Sequence, residues 1–150
     1  MVTLTGMQES FSEALKDLLE LEYDACSAYT QAIEGLKNED FKHKLEEFRR
    51  DHESHIEAIH ELLKSHDIKA PTQGDMIKGA LVKGKAYLAS LVGDKAILYA
   101  MSSNEEDTNT AYERICTHKG LWEKAKEPLK KAWDDEVKHQ KWLTETLPRL

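Results

Sequence analysis

The sequence predicts an all-α fold: an antiparallel four-helix bundle made of two repeated helix pairs, joined by a long crossover that contains a short helix. Three observations carry that reading. Apolar residues recur at alternating three- and four-residue steps through four long stretches, the period of a helix with one buried face. Only seven of the 150 residues are Gly and three are Pro, so few residues oppose helix. The two halves also repeat one another. Glu22-x-Asp24 followed by Ala28-Tyr29 and Ile33 matches Glu105-x-Asp107 followed by Ala111-Tyr112 and Ile115, and Asp51 and His55 match Asp135 and His139.

The first helix is expected over residues 10–36, opened by the capping box Ser10-Phe11-Ser12-Glu13, with Leu15, Leu18, Glu22, Tyr29 and Leu36 on its apolar stripe. Gly35 and Asn38 mark a short turn. The second helix, over 39–66, carries Phe41, Leu45, Phe48, His52, His55, Ile59 and Leu62 and stops near Asp67, before Pro71. A shorter amphipathic stretch over 75–92 has roughly 17 residues, or about 25 Å, enough to carry the chain from one end of the bundle towards the other. Asp94 is the expected N-cap of the third long helix, over 94–118, with Leu98, Met101, Glu105, Thr108 and Tyr112 facing inward. The fourth, over 126–147, has Pro128 in its first turn and presents Leu129, Glu136, His139 and Leu143 before Pro148 ends it. One domain over residues 1–150 accommodates all of this.

Composition narrows the function. A net charge of −7 argues against nucleic acid and against an anionic membrane surface, and no apolar run approaches the length of a membrane span. Cys26 and Cys116 form no CxxC, and no signal peptide precedes the first helix, so the expected compartment is the cytoplasm. Trp122, Trp133 and Trp142 are expected to fill the core or an oligomer interface, a homodimer being the simplest. His43, His60, His66 and His118 fall off the inward stripes and read as surface residues.

The chemistry lies in the polar residues on the stripes. Glu22 and the His52/His55 pair are equidistant from the turn near Asn38, and Glu105 and the Glu136/His139 pair are equidistant from Leu121, beside Gly120. Each antiparallel pair therefore brings glutamate and histidine to one level. Glu136-x-x-His139 and His52-x-x-His55 place donors at i and i+3, adjacent on one helix face. Ionisable groups buried there need partners, and mixed carboxylate and imidazole ligation suits iron, manganese or zinc. Asp51 and Asp135 can each accept the second ring N–H of the histidine from the opposite half. Tyr29 and Tyr112 lie two turns from the glutamate of their own helix, about 10 Å along the axis, which favours core packing over ligation, with a hydrogen bond into the site or a redox role as the other reading.

This arrangement resembles the ferritin-like superfamily of carboxylate-bridged two-metal proteins. Its Asp-Glu-x-x-His form is similar to the iron-binding motif of ribonucleotide reductase small subunits and bacterial monooxygenases, while its size resembles small rubrerythrin-related bacterial domains. The resemblance covers nearly the whole chain. It implies a metal set of Glu22, His52, His55, Glu105, Glu136 and His139 around two divalent ions, iron first, with dioxygen or peroxide as the reacting partner. It also implies that Asp51 and Asp135 orient the histidines. His52 departs from the pattern, standing where the family has a glutamate and leaving one negative charge fewer. Two other readings stay open: a bundle with a structural or sensory zinc or manganese ion, and a polar core that only specifies helix pairing.

Overall fold

A computed structural model describes residues 3–72 and 87–150. Among the described residues the structure is helical, with no strand. Four long helices appear: α1 (Phe11–Gly35), α2 (Glu39–Ser65), α3 (Asp94–Cys116) and α4 (Lys126–Thr146). Short 3-10 turns at Glu123–Ala125 and Leu147–Arg149 flank α4, the second containing the Pro148 that ends it. Of the predicted crossover helix over 75–92, residues 87–90 are helical and Leu88 is buried; Met76, Ile77, Ala80 and Leu81 lie outside the described residues.

Helix ends follow local chemistry. The Ser10 side chain accepts from the Glu13 amide, and Asn38 accepts from Asp40 and Phe41, each satisfying donors that the first turn leaves without partners. Asp67, at φ 55, takes the left-handed conformation that closes α2. The expected cap at Asp94 needs correction. Gly93, at φ 96, is the cap residue, and Asp94 is the first residue of α3 with its carboxylate turned away. It accepts from the amides of Lys37 and Asn38 at 2.8 and 3.0 Å, tying the α1–α2 turn to the start of α3. Two histidines expected at the surface are also half-buried and partnered. His60 bonds the Tyr23 hydroxyl at 2.8 Å, and His118 donates to the Gln8 carbonyl at 2.6 Å.

α1 packs against α2 and α3, and α4 packs against α3 and α2. Within α1–α2 and within α3–α4 the paired residues run in opposite order along the two helices. Tyr23 meets His60 while Thr30 meets Arg49, and Thr108 meets Glu136 while Ser102 meets Gln140. The core divides into two apolar clusters. One gathers Leu15, Leu18, Ile59, Leu63, Ile115 and Leu129; the other gathers Leu36, Leu45, Phe48, Leu98, Met101 and Leu143. On every long helix the predicted polar residues fall in the interval between the two. The bundle is thus oily at both ends with an ionisable layer across its middle.

Candidate metal centre

Each helix delivers its polar residues inward because they occupy positions on the same stripe as its core leucines and aromatics. Glu22 follows Leu18 and Leu19 on α1, and His52 and His55 lie between Phe48 and Ile59 on α2. Glu105 follows Met101 on α3, and Glu136 and His139 lie between Ala132 and Leu143 on α4. All six are between 0 and 4% exposed. They meet. His52 Nδ1 lies 3.1 Å from Glu22 Oε2 and 3.3 Å from Glu136 Oε1, and its Nε2 lies 3.2 Å from Glu105 Oε1. His55 Nδ1 lies 3.2 Å from Glu22 Oε2 and 3.3 Å from Glu136 Oε1, and His139 Nδ1 lies 3.6 Å from Glu105 Oε1.

The halves also interlock from outside. His55 Nε2 donates to Asp135 at 2.9 Å and His139 Nε2 donates to Asp51 at 2.8 Å, so each histidine is held by the aspartate of the other half and turns Nδ1 to the centre. This fixes ring orientation, the role such carboxylates have beside metal-binding imidazoles. Tyr29 takes the second of its two readings, a hydrogen bond into the site. Its hydroxyl donates a short hydrogen bond to Glu105, because α3 runs opposite to α1 and lifts Glu105 to its level. Tyr112 packs its ring 5.8 Å from that of His55, with its hydroxyl buried and without a hydrogen-bond partner. Thr108 was on the predicted stripe without a role. Its hydroxyl lies 3.0 Å from Glu136 Oε2, and Asn109 donates to the carbonyls of Glu105 and Glu136. A buried threonine three residues after a buried glutamate was the available signal.

Burial pushes every ionisable group in this layer towards its neutral form, and the neighbours mostly reverse it. Glu22 is drawn down to about 2 by the charges and hydrogen bonds of His52 and His55 despite its burial. Burial lowers the proton affinity of His55 and His139, but the close carboxylates of Glu136 and Glu22 in one case, and of Asp51 and Glu105 in the other, lift both to about 10. His52 is likewise raised, by the charges of Glu136 and Glu22 against its burial. Glu136 differs from the other acids: burial and the nearby charge of Glu105 push it up. Without a metal, then, imidazolium protons neutralise the acids.

The six residues form two overlapping sets, Glu22, His52, His55 and Glu136, and His52, Glu105, Glu136 and His139. Within each, donor atoms all lie within 4.8 Å of one another, so each set could hold a metal ion. Within these sets Glu136 Oε1 and His139 Nδ1 are buried but make no hydrogen bond of good geometry, although Glu136 Oε1 lies 3.3 Å from Nδ1 of both His52 and His55 and His139 Nδ1 lies 3.6 Å from Glu105 Oε1. Buried polar atoms of that kind are rare and costly. A buried carboxylate oxygen and imidazole nitrogen without such a bond fit a divalent cation.

A family model described as Domain of unknown function (DUF2383) matches residues 10–118. The chain belongs to that family. The matched span of this DUF2383 chain includes α1, α2 and α3, and with them Glu22, His52, His55 and Glu105; Glu136 and His139 follow it on α4. Neither a curated protein nor a solved structure matches the chain. Among its described residues no helix is long and apolar enough to cross a membrane.

Proposed function

We propose that this chain is a ferritin-like metal-binding protein, one domain of two antiparallel helix pairs, whose core binds two divalent ions. Iron is the first choice and manganese the second, and the reaction is oxidation of Fe(II) or reduction of dioxygen or peroxide in the cytoplasm. The observation that carries the proposal is the pair of overlapping, buried donor sets that share His52 and Glu136, in which Glu136 Oε1 and His139 Nδ1 make no hydrogen bond of good geometry. Glu22 and His55 belong to one ion, Glu105 and His139 to the other, and His52 and Glu136 to both sets. Bound iron would supply electrons to an oxidant through coordination positions not taken by protein. Asp51 and Asp135 keep the imidazoles turned inward, and Tyr29 and Thr108 hold Glu105 and Glu136 in place. The redox activity is drawn from the resemblance of the Asp-Glu-x-x-His motif rather than from the donor geometry.

One feature favours a second reading. Each set offers four protein donors, enough to close a tetrahedral zinc site with no open position, and such a site would be structural. Metal analysis of the purified protein, then anaerobic Fe(II) titration and exposure to air, separates the two. The first reading expects two irons per chain and a new near-ultraviolet absorption band, both abolished in Glu105→Ala and His139→Ala. One tightly held zinc that Fe(II) does not displace would select the second. Binding unaltered in either variant would remove that residue from the ligand set.

A further inference from the structure

His52 is used differently from the other two imidazoles. His55 and His139 each spend Nε2 on an aspartate at the edge of the core and so keep a single nitrogen for the centre. Both nitrogens of His52 instead face core carboxylates, and they face different sets. Nδ1 lies 3.3 and 3.1 Å from the two oxygens of Glu22, while Nε2, on the other side of the ring, lies 3.2 Å from Glu105 Oε1. The ring is wholly buried between the two sets and belongs to both.

Resting on the two-ion reading above, we propose that His52 bridges the ions as an imidazolate, with Nδ1 on the ion of Glu22 and His55 and Nε2 on the ion of Glu105 and His139. A neutral imidazole keeps a proton on one nitrogen and can ligate through the other only. Without metal the ring is an imidazolium, so bridging forms two metal–nitrogen bonds and breaks both N–H bonds, and the two protons leave to water. Charge favours this step. Glu22, Glu105 and Glu136 bring three negative charges against four positive ones from two divalent ions. An unbalanced charge is costly in a site this buried. An imidazolate supplies the missing negative charge and makes the site neutral with no added anion.

The bridge has a signature separate from activity. Metal–nitrogen bonds of about 2 Å on opposite sides of one ring hold the ions more than about 5 Å apart. Oxygen-bridged pairs stand about 3.5–4 Å apart. The test is to load the wild-type apoprotein with Cu(II), count copper per chain, and record X-ray absorption and electron paramagnetic resonance. The expected result is two coppers per chain, no copper–copper vector below about 4 Å, and loss of most of the resonance intensity on cooling through coupling across the ring. His52→Glu loaded the same way should bring the two ions under about 4 Å. Two coppers at short separation in the wild type overturn the bridge but keep the two-ion centre. A single copper overturns the bridge and the second ion, and no bound copper overturns the metal reading itself. Unquenched resonance from two coppers also overturns the bridge, as does a separation unchanged in His52→Glu.

Discussion

Asp51 and Asp135 are the residues whose role the geometry states most sharply. Each is about a quarter to a third exposed, lies at the edge of the core, and takes the outward nitrogen of a histidine from the other half. Removing either leaves the donor set intact but frees an imidazole to rotate. Asp51→Ala and Asp135→Ala should each weaken metal binding about 10–100-fold, the usual effect of losing the outer partner of a ligating histidine. Competition with a chelator of known affinity measures this, and affinity within twofold of wild type would show that packing alone orients the rings. Phe48 gives a reason to expect a smaller effect for Asp51, since its ring lies 4.1 Å from that of His139 and already limits its motion.

The helices owe their ends to a few residues whose effects can be separated from the core. Asn38 accepts two amide hydrogens at the start of α2, so Asn38→Ala should cost about 1 kcal/mol, the usual value for losing such a cap. At Gly93 a Cβ would meet no atom within 4 Å, yet φ is 96. Gly93→Ala should therefore cost about 1–2 kcal/mol through backbone strain alone. Urea unfolding of the apoprotein tests both, with no change expected in metal stoichiometry. A larger loss at Gly93 would mean that α3 begins elsewhere when the chain is forced out of the left-handed conformation. The Asp94 contact with the α1–α2 turn makes that start a junction between the two halves.

At the scale of the molecule, an ionisable layer between two apolar clusters makes stability depend on pH in a predictable direction. Glu22, drawn from 4.5 to about 2, stabilises the fold above pH 4.5 and loses that effect as pH falls through about 2. His55 and His139, lifted from 6.5 to about 10, stabilise it below pH 6.5 and lose that effect as pH rises through about 10. The apoprotein should thus be most stable between pH 4.5 and 6.5. Metal ions displace the same protons, so their contribution should rise over the interval in which the apoprotein weakens. Chemical denaturation with and without metal tests this, and parallel curves from pH 6.5 to 10 would take these imidazoles out of the ligand set.

The stripes, the turn near Asn38 and the common level of the six donors were legible in the sequence. Helical period and distance from a turn are properties of the chain itself. The cap at Gly93 was missed because Asp94 is a good cap residue by type; only its contact with the neighbouring turn shows that its side chain is engaged elsewhere. For Tyr29 packing was favoured over a hydrogen bond into the site because its own helix separates it from Glu22, and no spacing along the chain reveals that Glu105 comes to it from α3. The two faces of His52 are of the same kind. Which nitrogen meets which carboxylate depends on how far each helix is turned about its axis and how the two pairs dock. That rotation is set by packing among all four helices together, so tertiary structure alone decides it.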